Sequence, residues 1–382
     1  MAATVDALGY RTSLNYDLSG QNTGRQNAQG NWITMTYDLA GRQLAIFNEI
    51  GFGVTTAYNL NGRIVSVIDG TSRVKTMSYD GASNLLNIDY HDGKILSQVY
   101  DPLTRLTTMS DWGGITTYAF DSRSMLVGKT DPGSLAQAYT YDANANRTLL
   151  VDPDGGRWTS VYDTLDRNYS TQMPTGEFYT SLYDATSRNT TLQLGLGSIR
   201  QYSYDAGDRL TTQIDYVAGS PITTFIDSYD PVSNRIGRVQ NGSVFTWTYD
   251  SDYRLLGQQN AGGYATFAYD SLFNTLVKWN QGSAPVTMAY NGASRIVTSI
   301  QGGTVTTYTF DNAGNRTVEN AAGLLTTYSY DGENRLLKVL YSTATISSYT
   351  YSGSGLRRTN QEPGQPVYTT IWDGSDYLGE VQ

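Results

Sequence analysis

The sequence predicts an all-β fold in which one antiparallel strip is built from about 18 hairpins laid side by side. Three observations predict it. An aromatic-Asp dyad, or a close substitute, recurs every 20 or 21 residues from Tyr16 to Trp372. An arginine follows nine dyads at +5 and four more at +6, and Gly, Asn or Asp often stands at +4, where a turn needs positive φ. The composition, with 31 Tyr and 39 Gly in 382 residues and a hydrophobic fraction of only 39%, favours strands and turns. Nothing in the chain reads as a helix.

The dyads begin at Tyr16, Tyr37, Tyr58, Tyr79, Tyr100, Phe120, Tyr141, Tyr162 and Tyr183. They continue at Tyr204, Tyr229, Tyr249, Tyr269, Tyr290, Phe310, Tyr330, Tyr351 and Trp372. One step departs from the period, the 25 residues between Tyr204 and Tyr229. Eighteen units in register define a repeat architecture. The two or three domains that length alone would suggest become one domain over residues 1–382. Its repeats run from about 16 to 373, with a leading strand in 1–15 and a C-terminal end at 374–382.

Each dyad predicts a three-residue hairpin loop, a type I turn followed by one left-handed residue. With the aromatic counted as zero, Asp stands at +1, where its carboxylate caps backbone N–H groups, and Pro102 and Pro231 occupy +2. The left-handed position is then +4. It holds Gly20, Gly41, Gly62, Gly314, Gly355, Asn334, Asp166, Asp208 or Asp376, all residue types that tolerate positive φ. Tyr253 and Phe273 at the same position do not, so distorted turns are expected there.

Position +5 lies across the ladder from +1, so Arg at +5 predicts a cross-strand ion pair worth ~0.2–1 kcal/mol. The structural repeat anchors are read as Tyr37, Asp38 and Arg42; Tyr100, Asp101 and Arg105; Tyr204, Asp205 and Arg209; Tyr249, Asp250 and Arg254; and Tyr330, Asp331 and Arg335. Position +6 faces the aromatic and is often Leu or Ile, while −2 is aromatic at Tyr139, Trp247, Tyr308 and Tyr328, among others. One face of the strip is thus aromatic and aliphatic, and the other carries Asp, Arg and Thr. A second, Gly-rich turn, such as Asp154-Gly155-Gly156, closes each unit at its other end.

The same composition removes most enzyme classes. Without cysteine there is no disulfide framework, thiolate metal site or cysteine nucleophile. The single histidine, His91, lies in a turn with no G-x-S-x-G nucleophile to serve, and reads as a solvated turn residue. Asp152 and Asp154 lack the ligand spacing of a calcium loop. The Asp and Arg ladder recurs in nearly every unit, which marks it as structural rather than as a catalytic carboxylate pair. No catalytic residue, metal site or cofactor is expected. A net charge of −9 disfavours nucleic acid as a partner. No apolar run is long enough to insert in a membrane, and the N-terminus has no signal-peptide pattern.

The segments YDLAGRQL (37–44), YDPLTRL (100–106), YSYDAGDRL (202–210), FDNAGNRT (310–317) and YSYDGENRL (328–336) resemble the YD repeat of RHS proteins. The likeness spans residues 16 to 373. It implies a strip that spirals into a barrel-like shell, or part of one, as in toxin-complex cocoon components, RHS toxins, wall-associated proteins and teneurins. It also implies a secreted or cell-surface location and an encapsulated polypeptide as partner. The alternative is a stand-alone adhesion module that presents an aromatic-rich sheet to surface glycans or proteins. The autocleavage core motif and toxin domain of the family have no counterpart in these residues, so neither activity is carried over. From strand spacing, a container for a whole toxin domain is not expected from this chain alone.

Overall fold

The computed structural model describes residues 2–382. Among them are 37 strands, from β1 (Ala2–Val5) to β37 (Asp376–Val381), and a single helical turn of three residues at Gly195–Gly197. All strands belong to one antiparallel sheet in which sequence neighbours pair. The fold is all-β, as the repeat predicts.

The YD hairpin has one stereotyped register. The dyad aromatic faces residue +6, as in Tyr37 with Gln43 and Tyr204 with Leu210. The residue before it skips one position, so Thr36 faces Ala45 and Ser203 faces Thr212. That skipped residue is a β-bulge, and it sharpens the local twist. At the loop the Asp38 amide donates to the Arg42 carbonyl at 2.9 Å, and the Gly41 amide donates to the Asp38 carbonyl at 3.0 Å. This is a type I turn closed by a left-handed residue. The Gly-rich hairpin at Asn48–Phe52 carries no such bulge at its end, where Ile46 faces Val54 and Phe47 faces Gly53.

Position +4 has positive φ at seventeen of the eighteen dyads. The expectation of distorted turns at Tyr253 and Phe273 is overturned: they take φ of +63° and +68° and keep the standard turn bonds. The +1 carboxylate and the flanking ladders hold the loop so firmly that the side chain accepts a backbone region costing ~1–2 kcal/mol. Asp376 is a second correction. It is not left-handed but opens the final strand opposite Asp373, across a two-residue loop of Gly374 and Ser375. The shorter loop arises because Trp372 faces Tyr377, one residue nearer than the usual partner.

Few side chains are buried: Ala45, Leu96, Met109, Tyr139, Leu150, Ala265, Val339 and Ile371 are the hydrophobic ones among the described residues. The strands bury their faces only partly, so the order of the strip must come largely from bonds between neighbouring repeats.

The chain forms two compact units. One comprises the residues up to Ile115 together with Thr266–Gln382, and the other comprises Thr116–Ala265. In the first, the Gly-rich turns of the N-terminal segment pack on the YD turns of the C-terminal segment. Arg73 donates to the Asp331 carbonyl at 2.7 Å, and Lys75 pairs with Glu333 at 2.9 Å. Arg358 grips Asp111 through two bonds of 2.8 and 3.1 Å. In the second unit, the pairs Arg200 with Asp215 and Arg238 with Asp227 cross adjacent strands at 2.6 Å.

Candidate functional site

The chemistry of this chain is concentrated in its YD turns. In most of them the +1 residue is an Asp whose carboxylate acts as a turn cap. Asp38 accepts from the amides of Ala40 and Arg42, both at 2.9 Å, and its second oxygen takes Arg42 Nε at 2.7 Å. Asp101 with Arg105, Asp205 with Arg209, Asp250 with Arg254 and Asp331 with Arg335 repeat this at 2.6 to 2.7 Å. Where +5 is Asn, the amide replaces the guanidinium, as in Asn234 on Asp230 and Asn315 on Asp311. These bonds favour the ionised carboxylate. The Arg42 amide and guanidinium hold Asp38 below the usual carboxylate range, and the Arg105 side chain does the same for Asp101.

The arginine also reaches forward. Arg42 Nη1 donates to the Asn59 carbonyl at 3.1 Å, Arg209 to Asp230 at 2.9 Å, and Arg335 to Ser352 at 2.9 Å. In the same pose each guanidinium stacks on the next dyad ring: Arg42 on Tyr58 at 4.9 Å, Arg209 on Tyr229 at 5.0 Å, Arg335 on Tyr351 at 4.9 Å. The dyad tyrosine reaches backward. Its hydroxyl donates to the +6 carbonyl of the preceding repeat, as Tyr37 to Asn22 at 2.9 Å, Tyr204 to Asn189 at 2.8 Å, and Tyr330 to Arg316 at 3.0 Å. Tyr249 does so to Arg235 at 2.9 Å, and the Trp372 indole does so to Arg357. Tyr100 departs from the pattern and donates to Gln98 instead.

Sequence reasoning placed Asp against Arg within a turn. It missed both links between turns. The signal was present: the dyad aromatic is Tyr in 15 of 18 repeats, a bias a purely apolar anchor would not need. The basic excess of Arg over Lys has the same origin, since only a planar guanidinium can bond two turns and stack at once.

His91 is exposed in the Tyr90–Lys94 turn. Asp152 caps its own turn through the amides of Asp154 and Gly156, at 3.1 and 2.7 Å. Among the described residues no three His, Cys, Asp or Glu converge as metal ligands would. A cavity of about 250 Å³ lies in the first unit, lined by Ile33, Ile46, Phe52, Val54, Asn312 and Asp69, and the Asp69 carboxylate is engaged by the Thr71 amide and by Arg73. No helix of the described residues is long and apolar enough to cross a membrane.

The Teneurin YD-shell family model matches residues 258–382. The fold is similar to part of a solved Photorhabdus luminescens Tc holotoxin pore, with a TM-score of 0.80 over 97% of this chain at 15% identity. The C-terminal third of the chain is thus similar in sequence to a YD-shell, and its fold is similar to that of the Tc protein. A crystal structure of TcdB2-TccC3 is also similar, with a TM-score of 0.72 over 97% of this chain at 14% identity. This chain spans only 23% and 25% of the length of those two solved chains. No curated protein matches its sequence.

Proposed function

We propose that this chain is a non-enzymatic structural element, a segment of the wall of a protein shell that encloses a polypeptide. One observation carries the reading: the charged and hydroxyl groups that could do chemistry are spent in holding neighbouring repeats together. Asp caps the turn, Arg bonds the next turn, and Tyr bonds the last one. Such a ladder couples each repeat to its neighbours and yields a stiff wall of arbitrary length. In this reading Tyr37, Asp38, Arg42 and their counterparts are anchors of the wall, and residues 1–382 act as one YD-repeat domain, secreted or exposed at a cell surface.

A glycan-binding sheet is less well supported. Several of the −2 aromatics that would stack on sugars carry an arginine on a ring face: Arg147 on Tyr139, Arg235 on Trp247, and Arg316 on Tyr308 and Tyr328.

The test is protease protection. An unstructured, tagged polypeptide joined after Gln382 should be cut several-fold more slowly than the same polypeptide joined to an unrelated β domain. Equal rates would overturn the enclosing role. Binding on a glycan array would favour the adhesion reading.

A further inference from the structure

Two links join one YD turn to the next at most steps of the first compact unit, and the step from Tyr79 to Tyr100 makes neither. One repeat earlier both are present. Arg63 donates to the Asp80 carbonyl at 3.0 Å and to the Ser83 hydroxyl, and its guanidinium stacks on the Tyr79 ring at 5.6 Å. The Tyr79 hydroxyl donates back to the Ile64 carbonyl at 2.8 Å. At the next step +5 is Asn84, whose side chain ends on Asp80 of its own turn at 2.8 Å, and the Tyr100 hydroxyl turns to Gln98 at 2.9 Å. Asparagine at +5 does not by itself cause this. Asn146, Asn274 and Asn315 cross to Asp166, Ser294 and Asn334 of the following turn at 2.7, 3.2 and 2.8 Å. Beside them Tyr162, Tyr290 and Tyr330 keep their backward bonds.

Between the Tyr79 and Tyr100 turns lies a cavity of about 380 Å³, whose wall includes Asp80, Asn84, Gln98, Tyr100, Asp101 and Thr104. Small-ligand pockets measure about 300–1,000 Å³. It opens to solvent beside the exposed Ala82 and Pro102. Its wall presents, one repeat on, the groups that hold Arg63: a dyad ring, a +1 carbonyl and a +4 hydroxyl. The same three hold Arg167, through the Tyr183 ring at 4.6 Å, the Asp184 carbonyl at 3.4 Å and the Ser187 hydroxyl at 3.1 Å. They hold Arg209 through Tyr229, Asp230 and Ser233 at 5.0, 2.9 and 3.5 Å. A guanidinium suits this set because it donates in its plane while its face lies on the ring.

The charge is suited to a cation as well. Asp38 and Asp101 are each paired with an arginine of their own turn, whereas Asp80 meets only the neutral Asn84 amide there. Those Asn84 bonds hold the Asp80 carboxyl below the usual carboxylate range, so it is ionised at neutral pH.

We propose that this cavity is a guanidinium-binding site, with the Tyr100 ring, the Asp101 carbonyl and the Thr104 hydroxyl as its recognition groups. The guanidinium comes from another molecule, as free arginine or as an arginine side chain of a polypeptide, and does there what Arg63 does one repeat earlier. An ammonium brings the same charge without the plane or the fork of donors, so lysine is the weaker ligand. Few contacts in a site open to water set a dissociation constant of about 1 mM.

Isothermal titration calorimetry in about 150 mM salt, which screens attraction to the net charge of −9, tests this with N-acetylargininamide and N-acetyllysinamide. The arginine probe should bind once per chain and about 5-fold or more tighter than the lysine probe. N84R supplies a guanidinium from the chain itself, so it should weaken binding about 10-fold or more and raise the thermal midpoint, with an unchanged circular dichroism spectrum. T104A, at an exposed position, should weaken binding about 3-fold. A blocked pentapeptide with one central arginine among alanines distinguishes the sources. Binding about 10-fold tighter than the single-residue probe assigns the site to an arginine of a polypeptide, and equal binding assigns it to the free amino acid. No heat of binding up to about 10 mM overturns the proposal. So does equal affinity for the lysine probe, or undiminished binding by N84R with its spectrum intact.

Discussion

Replacing Asp111 by alanine should loosen the contact between the two segments of the first compact unit. Its carboxylate is fully out of water and accepts four bonds: two from Arg358 at 2.8 and 3.1 Å, one from the Gly353 amide at 2.6 Å, and one from the Gly113 amide at 2.7 Å. Burial alone would raise its pKa, but Arg358 and the two amides outweigh burial and hold it ionised below the usual range. Removing it strands a guanidinium that keeps only 15% of its surface in solvent. Breaking a buried pair on one side costs about 3–5 kcal/mol, and the residual hydration of Arg358 argues for the low end. A loss of about 3 kcal/mol corresponds to about 100-fold in a local opening equilibrium. Hydrogen exchange at the Gly353 amide is the assay, because that amide loses its acceptor directly. An acceleration of less than about 5-fold would refute the reasoning. Arg358→Met in the Asp111→Ala background should recover part of the loss, since no charge is then left buried alone.

Other outcomes follow from the ladder. Tyr204→Phe deletes the hydroxyl bonded to the Asn189 carbonyl at 2.8 Å and should cost about 1 kcal/mol in urea denaturation; a neutral result would mean the hydroxyl is not a link between repeats. Tyr253→Asn should raise stability by about 0.5–1 kcal/mol, because φ of +63° suits Asn better than Tyr; a drop in thermal midpoint would count against the strain argument. The carboxyls of Asp38, Asp101, Asp163 and Asp205 lie below their ordinary range in the folded chain. Below about pH 4 the unfolded chain therefore binds more protons than the folded one. Stability should be intact above that pH and fall as acid carries the protein through the depressed values. Loss of the β spectrum already at pH 5 to 6 would contradict this.

Most of the fold was legible because the repeat states its own turn chemistry eighteen times. Asp at +1, the left-handed +4 and the +6 partner of the dyad ring are all local, and local rules predict them. Tyr253 and Phe273 show where such rules stop: a propensity argued residue by residue underestimates how strongly two flanking ladders impose φ. The links between repeats were less visible, because the bond from Arg42 to the Asn59 carbonyl joins residues 17 apart and depends on strand twist. The seam was not visible at all. Asp111 and Arg358 are 247 residues apart, and no period or propensity relates them.

The 25-residue step has a consequence of its own. Its extra residues lie in a hairpin of 8 and 10 residues, Leu210–Val217 and Ser220–Tyr229, turned by Ala218 and Gly219 at positive φ. Even so, Tyr229 still bonds the Leu210 carbonyl at 2.8 Å, and Arg209 still bonds Asp230 at 2.9 Å. At this hairpin the YD margin therefore keeps its links and its length, while the opposite margin takes up the extra residues. The Ala218-Gly219 tip is an attachment port at which a loop, tag or foreign epitope can be spliced without disturbing the ladder.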